Sequence, residues 1–215
     1  MIKINYNDII NTDISFLEKY YLKIGHIGES FRNTLPQQEH YKLLTYLSFQ
    51  FNDSLLLDIG TFDGLSAICL AQNPTNKVIS YDIIDKDFSN ILRPVYINSS
   101  SSGEVLHHTP FGKDYPNISF KNLDILNEDI SILNSASFML LDISHNGQDE
   151  RNFTDKIKQI EFDGYILCDD VRTDIFPLRN WFDSLEWNKY DLTEVGHVTG
   201  SGLLDIGGNG VDIIK

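Results

Sequence analysis

The sequence predicts an α/β fold: one domain with a mostly parallel, seven-stranded sheet, helices on both faces and an antiparallel hairpin at the C-terminal end. Two patterns support this prediction. Short apolar runs alternate with segments long enough for a crossover helix, and most of these runs end at or beside an aspartate or a glycine. A length of 215 residues with 41% hydrophobic residues is typical of a single globular domain with a full core.

Apolar runs of strand length mark the parallel part of the sheet. The segments between them at 65–72 and 149–160 have the length of crossover helices. Strand, helix and strand in this order predict parallel pairing, with both faces of the sheet covered. The five predicted strands are 55–59, 78–83, 118–123, 138–143 and 165–168.

The flanking segments predict the remaining elements. Residues 36–51 have the pattern of an amphipathic helix, which we expect to pack on the sheet edge or to cover the binding site. After the fifth strand, a helix is predicted at 179–187, then two hairpin strands at 190–195 and 203–206 around a glycine-containing turn. Residues 88–117 are rich in Ser, Pro, Gly and His and predict a long loop.

The chain is strongly acidic, with a formal net charge of -14 and a pI near 4.6. Such a charge repels phosphate backbones and anionic lipid, so we expect neither nucleic acid nor a membrane as partner. Cys69 and Cys168 lie in apolar runs and predict buried thiols rather than a disulfide. The N-terminal stretch has no signal-peptide core, which predicts a cytoplasmic protein.

The most informative motif follows the first predicted strand. Asp58 ends this strand, and Gly60 and Gly64 come before the next helix. Gly60 permits a tight turn and a close approach to a ligand, and Gly64 lets the helix begin close to the strand. A pyrophosphate-binding loop has a second glycine where this chain has Phe62, so a dinucleotide fits poorly.

Two further aspartates follow the next two predicted strands. Asp82 stands about two dozen residues beyond the first acid, a spacing that suits a carboxylate that binds ribose hydroxyls. Asp124 could accept from an adenine amino group while Leu123 and Ile125 flank the ring. Each aspartate could instead cap a helix.

The ordered set Asp58-x-Gly60-x-x-x-Gly64, Asp82 and Asp124 resembles the class I S-adenosylmethionine-dependent methyltransferases, which have a Rossmann-like fold. The resemblance implies that residues 51–215 bind S-adenosylmethionine and that residues 1–50 form an N-terminal helical cap segment of the same domain. It assigns the Gly60 loop to the methionine moiety, Asp82 to the ribose and Asp124 to the adenine. The cofactor-binding residues predicted on this basis are Asp58, Gly60, Thr61, Phe62, Gly64, Ser66, Asp82, Ile83, Leu123, Asp124, Ile125 and Asp142.

A second polar group follows the fourth and fifth strands. Because adjacent parallel strands end near one another, Asp142, His145, Asp169 and Asp170 should converge. Carboxylates this close repel unless a cation, a proton or hydrogen bonds intervene, and Mg²⁺ would satisfy several of them.

The Asp-x-x-His and Gly-x-Ile-x-x-Asp-Asp pattern is similar to O-methyltransferases that act on sugars and other small hydroxylated molecules, some of them metal-dependent. By this resemblance Asp142, Asp169 and Asp170 hold the metal, and His145 with Asp142 forms the catalytic pair that takes a proton from the acceptor hydroxyl. One departure is Asp163-Gly164 before the fifth strand, where family members often have two glycines.

The alternatives are more ordinary. His145 could cap or pack the following helix, and the acids could form a solvated rim. A nicotinamide-dependent oxidoreductase on a related fold and a non-catalytic cofactor-binding partner subunit are the competing functions. The sequence leaves a homodimer open and does not identify the acceptor.

Overall fold

The fold was determined as a computed structural model, which describes residues 1–18, 35–61, 64–83, 114–172 and 178–215. Nine strands lie in these ranges: β1 (Ile2–Asn5), β2 (Leu55–Ile59), β3 (Lys77–Asp82), β4 (Ile118–Asn122), β5 (Ala136–Leu141), β6 (Tyr165–Asp169), β7 (Asn188–Asp191), β8 (Ser201–Asp205) and β9 (Val211–Ile214). The α-helices of the same ranges are α1 (Tyr6–Ile10), α2 (Leu35–Ser48), α3 (Leu65–Leu70), α4 (Ile130–Ser135), α5 (Gln148–Ile157) and α6 (Leu178–Ser184). Two short 3₁₀ helices lie at Ser15–Leu17 and Ile125–Asn127.

Seven of these strands form the main sheet, in the order β4-β3-β2-β5-β6-β8-β7. The first five in this order pair in parallel, whereas β8 runs antiparallel to both β6 and β7. The predicted α/β fold, with its mostly parallel seven-stranded sheet and C-terminal antiparallel hairpin, is therefore confirmed. The strand order reverses between β2 and β5, and ligands bind outside the carboxyl ends of the strands at such a switch point.

Alternate side chains of the strands point to opposite faces and build two apolar clusters. Leu56 and Phe138 join the cluster on one face, together with α2 and α3. Leu57 and Met139 join the cluster on the other face, together with α5 and α6. Helices therefore cover both faces, which explains why the central strands are almost continuously apolar.

Helix α2 lies on the first of these faces rather than at the sheet edge. Leu43, Leu44 and Leu47 are fully buried in the cluster that also contains Leu56 and the side chains of α3. The helix was predicted from its apolar periodicity, but the partner of its apolar face could not be read from the pattern.

A small second sheet was not predicted. Strand β1 pairs in parallel with β9, with Ile2 opposite Val211 and Ile4 opposite Ile213. The hydroxyl of Tyr165 in β6 donates to the carbonyl of Gly210 at 2.8 Å, which ties this pair to the main sheet. The N-terminal segment thus contains a strand as well as helices.

Other predictions concern single segments. Cys69 and Cys168 are buried free thiols, as expected. Most of the predicted 88–117 loop lies outside the described residues, as does Phe62. No helix in the described ranges has both the length and the apolar character needed to span a membrane.

Candidate active site

A cleft of about 430 Å³ opens at the carboxyl ends of β2, β3, β4 and β5. This size lies within the range of small-molecule sites in proteins. Most of its surface is aliphatic or aromatic, and three carboxylates interrupt it. The described residues that line it are Ile59, Gly60, Tyr81, Asp82, Ile83, Leu123, Asp124, Ile125, Leu126, Ile143, Ser144, Asp149 and Phe153.

The floor of this cleft is shaped by the turn after β2. Gly60 has a φ of +103°, and a Cβ there would lie 1.6 Å from the main-chain oxygen of Asp142. The backbone N–H groups of Gly60 and Thr61 both donate to the carbonyl of Tyr81, at 2.9 and 3.0 Å. Gly60 is therefore required by the close approach of the neighbouring β5 end, in addition to any approach of a ligand.

Gly64 has a φ of +78° and stands immediately before α3. The N–H of Gly64 donates to the carbonyl of Thr61 at 2.7 Å, which closes the loop. The left-handed conformation is one that glycine adopts without steric cost, so the predicted role in starting the helix close to the strand agrees with the geometry.

Asp58 lies in a buried polar group beside the cleft. Its Oδ2 accepts a hydrogen bond from the Ser80 hydroxyl at 2.6 Å, and the Ser80 and Thr61 hydroxyls are 2.5 Å apart. Asp58 is fully buried, and its Oδ1 has no hydrogen-bond partner among the described residues. Burial raises the pKa of Asp58 to about 6, although hydrogen bonds from Ser80 and Ser66 oppose the rise.

Asp82, Asp124 and Asp149 give the cleft its negative charge, and no lysine or arginine is among its described lining residues. Asp124 also caps the 3₁₀ helix, because its Oδ1 accepts from the N–H of Leu126 at 2.9 Å. Asp124 therefore caps a helix, as the alternative interpretation predicted, and it also lines the cleft. Asp149 accepts from the Ser144 hydroxyl at 2.6 Å.

His145 stands beside this cleft, between two carboxylates. Its Nε2 is 3.4 Å from Asp142 Oδ1, and its Nδ1 is 3.6 Å from Asp170 Oδ2. His145 and Asp170 have φ values of +56° and +57°, a conformation that is uncommon outside glycine and clusters at functional sites. Glu150 holds the loop, because its carboxylate accepts from the N–H groups of His145 and Gly147 at 2.8 and 2.7 Å.

A second histidine occupies the same edge. His197 Nδ1 lies 3.0 Å from Asp169 Oδ2 and 3.2 Å from Asp170 Oδ1. The Thr199 hydroxyl donates to Asp170 Oδ1 and lies 2.8 Å from His197 Nδ1. On the other side of Asp169, His40 Nδ1 of α2 is 3.7 Å from Asp169 Oδ1.

The charges at this edge change one another's protonation. Burial and the neighbouring carboxylates of Asp169, Asp170 and Asp58 raise the pKa of Asp142 well above its ordinary value, although 31% of its side chain is exposed. Burial opposes protonation of His197, but hydrogen bonds to Asp169 and Asp170 raise its pKa to about 10. At neutral pH this edge therefore carries a cationic His197 between two carboxylates.

The structure brings together most of the side chains named in the sequence analysis. Asp142, His145, Asp169 and Asp170 converge as expected from the strand order. Those that line the cleft are Gly60, Asp82, Ile83, Leu123, Asp124 and Ile125. Asp58, Thr61, Gly64 and Ser66 are buried and are not among the lining residues, and Asp142 lies beside the cleft.

Sequence reasoning missed two histidines. His197 follows Gly196 in the turn between the hairpin strands, and His40 lies within an apolar helix pattern. Neither belongs to the motif that carried the resemblance. The only local signal was that a histidine, His40, stands at a position where the helix pattern predicts an apolar residue. The structure explains this position, because α2 packs where His40 faces Asp169 at the end of β6.

The sequence matches no family model and no curated protein. Solved structures are similar in fold. The cofactor-bound protein Rv0187 from MTB is 16% identical, with a TM-score of 0.56 over 83% of this chain and 84% of that one. A methyltransferase from Geobacter sulfurreducens is 13% identical, with a TM-score of 0.54 over 86% and 88%.

A third similar structure is the O-methyltransferase TomG from Streptomyces achromogenes, involved in tomaymycin synthesis, in complex with S-adenosylmethionine. It is 16% identical, with a TM-score of 0.52 over 88% of this chain and 90% of that one. Together these similarities show that the chain has the fold of class I S-adenosylmethionine-dependent methyltransferases.

Proposed function

We propose that the chain is an S-adenosylmethionine-dependent O-methyltransferase that acts on a hydroxyl of a small molecule, with a sugar or glycan precursor as the leading acceptor class. The observation that carries this proposal is the cleft at the sheet's carboxyl edge. Three carboxylates line it, and no basic side chain does so among the described residues. Such a cleft suits a cationic nucleoside and disfavours a pyrophosphate.

The cofactor assignment follows the strand ends. Asp82 would accept from ribose hydroxyls, and Asp124 would accept from the adenine amino group between Leu123 and Ile125, because all four residues line the cleft. The Gly60 turn would hold the methionine moiety. Bound S-adenosylmethionine supplies an electrophilic methyl group, and the remaining chemistry falls to the protein side chains.

His145 is the proposed base. Its contact with Asp142 Oδ1 at 3.4 Å orients the ring, and a quarter of its side chain stays exposed, so an acceptor can reach it. In the reaction the imidazole would take the hydroxyl proton as the acceptor oxygen becomes nucleophilic. A protonated His145 would then be stabilised by Asp142 and Asp170, which face its two ring nitrogens.

A hydroxyl acceptor is favoured over a nucleic-acid base. The chain contains no Pro-Pro pair, whereas base N-methyltransferases resemble Asn/Asp-Pro-Pro-Tyr after the fourth strand. The net charge of -14 also opposes a polyanionic acceptor. A cytoplasmic location and a homodimer remain predictions.

A divalent cation is part of the proposal. By the resemblance in sequence, Asp142, Asp169 and Asp170 are the carboxylates expected at such a cation, and a divalent cation there would lower the pKa of an acceptor hydroxyl. The donor groups are suitable, because Asp169 Oδ1 is buried without a hydrogen-bond partner among the described residues.

The test is a transfer assay with methyl-labelled S-adenosylmethionine and a panel of glycans, nucleotide sugars and catechols. We expect label in at least one hydroxylated acceptor and loss of transfer in His145→Gln. If the protein binds S-adenosylhomocysteine but labels no acceptor, the non-catalytic partner subunit is the better reading. If the protein binds NADH instead, a nicotinamide-dependent oxidoreductase is the better interpretation.

A further inference from the structure

Asp169, Asp170 and His197 form a compact group of donor atoms at the end of β6. One ligand atom from each lies within 4.8 Å of the others. The separations are 3.0 Å from His197 Nδ1 to Asp169 Oδ2 and 3.2 Å from His197 Nδ1 to Asp170 Oδ1. Donors that share a metal at about 2.1 Å are separated by roughly 3.0–3.4 Å, so these distances fit neighbouring corners of one coordination sphere.

An independent observation comes from helix α2. His40 is only 7% exposed, and its Nδ1 has no hydrogen-bond partner among the described residues. It faces Asp169 Oδ1, which is also buried and without a partner in the described part of the chain. Their separation of 3.7 Å is too long for a hydrogen bond.

A buried nitrogen or oxygen that makes no hydrogen bond destabilises the fold. With the His40 proton on Nε2, a cation bound by His40 Nδ1 and Asp169 Oδ1 would remove this cost. The rings of His40 and His197 have centroids 5.5 Å apart, so both imidazoles lie at the same carboxylate.

We propose that His40, Asp169, Asp170 and His197 form a binding site for a divalent first-row transition metal such as Zn²⁺. Two imidazole nitrogens beside two carboxylates suit Zn²⁺, Co²⁺ or Fe²⁺, whereas Mg²⁺ prefers an all-oxygen shell. This assignment differs from the Mg²⁺ set of Asp142, Asp169 and Asp170, because Asp142 Oδ1 faces His145 and two histidines take its place. His40 stands outside the compact group and would join the site on the Oδ1 side of Asp169.

The site also bears on acceptor choice, and this consequence rests on the proposed function. Asp170 links the two groups, since its Oδ1 faces His197 while its Oδ2 faces His145. A metal at His197 would therefore lie close to the proposed base. A hydroxyl held by that metal would be presented to His145, which favours acceptors with an acidifiable hydroxyl.

The experiment titrates chelator-treated, full-length protein with Co²⁺ and records the visible absorption. Zn²⁺ and then Mg²⁺ are added as competitors. We expect one Co²⁺ per chain, displacement by Zn²⁺ and no displacement by millimolar Mg²⁺. His40→Gln and His197→Gln should each weaken binding by at least about 10- to 100-fold, since even the outer partners of a metal ligand have effects of this size.

The control replaces Asp53, an exposed carboxylate outside this group, with asparagine. This variant should bind Co²⁺ as the wild type does. Wild-type affinity in both His40→Gln and His197→Gln, a preference for Mg²⁺, or no binding to the wild type would each overturn the assignment.

Because His40 is buried, its variant could fail to fold, and circular dichroism would reveal this. X-ray absorption of the Zn²⁺-loaded wild type then tests the ligand set directly, because two imidazole ligands are expected and an oxygen-only shell would contradict the proposal.

S-adenosylhomocysteine binding by the chelator-treated protein is measured in parallel. Cofactor binding without metal binding refutes this inference alone, whereas metal binding without cofactor binding refutes the proposed function alone.

Discussion

Replacement of Asp58 by asparagine tests the electrostatics of the polar group beside the cleft. Asp58 is fully buried, and burial raises its pKa from 3.8 to about 6. A carboxyl whose pKa is higher in the folded protein than in the unfolded chain destabilises the fold while it is charged. Its stability cost is fully present above the folded pKa and is relieved as the pH falls towards the unfolded pKa.

The magnitude follows from the size of the rise. A shift from 3.8 to about 6 corresponds to about 3 kcal/mol of unfolding free energy at neutral pH and above. The asparagine carbonyl can still accept from the Ser80 hydroxyl, which now donates to Asp58 Oδ2 at 2.6 Å. The amide NH₂ would take the place of Oδ1, which has no partner among the described residues, at a cost of about 1–3 kcal/mol.

At pH 8 the stability of Asp58→Asn depends on two opposing effects, the removal of a buried charge and the loss of hydrogen bonding by the new amide. The pH dependence of the stability reports the buried charge alone. Between pH 8 and pH 5 the wild type should gain about 1.4 kcal/mol relative to the variant, because pH 5 lies about one unit below the folded pKa, where the carboxyl is protonated in the folded protein but ionised in the unfolded chain. The assay is urea unfolding of both proteins at these two values. Asp53→Asn controls for the loss of one negative charge, since Asp53 is exposed and its left-handed backbone is tolerated by asparagine.

A difference between wild type and Asp58→Asn that is the same at pH 8 and pH 5 would refute this reasoning. So would a relative gain of the variant as the pH falls. The first result would mean that folding does not raise the pKa of Asp58, and the second would mean that folding lowers it. In both cases a partner that the described residues do not provide would compensate for burial of the carboxylate.

Three further substitutions test the site. Gly60→Ala should destabilise the fold by at least about 2 kcal/mol in thermal unfolding, because a Cβ would meet the Asp142 carbonyl at 1.6 Å and φ is +103°; an unchanged melting temperature would contradict the turn geometry. Asp82→Asn should weaken S-adenosylhomocysteine binding by about 10-fold or more in equilibrium dialysis, through loss of a charge-assisted hydrogen bond, and equal affinity would remove Asp82 from the ribose site. His145→Gln should lower the methyl-transfer rate by about 10²–10⁴-fold with cofactor affinity retained, and a smaller loss would favour a packing role.

The main sheet could be predicted because its strands are marked locally. Each central strand is buried on both faces, so its sequence is an almost continuous apolar run. The aspartates at the ends of these strands mark the carboxyl edge of the sheet. The convergence of Asp142 with Asp170 then follows from parallel topology alone. Local pattern and global fold agree here.

The β1–β9 pair could not be predicted in the same way. Ile2 and Val211 pair across almost the whole length of the chain, and each strand has only four residues. A short alternating run carries no information about a partner so distant in sequence.

The second histidine group was missed for a different reason. His197 approaches Asp169 because β8 pairs with β6 in antiparallel register, which places Ser201 opposite Asp169 and returns the preceding turn to the β6 end. His40 arrives there through the packing of α2 on α3. Both contacts depend on tertiary packing that motif spacing does not encode.

The proposed function depends most directly on what the acid-lined cleft binds. Isothermal titration calorimetry of the full-length protein with S-adenosylhomocysteine and, separately, with NADH measures this. We predict one equivalent of S-adenosylhomocysteine per chain and no binding heat from NADH. Absence of binding to S-adenosylhomocysteine, or saturable binding of NADH, would contradict the proposed function.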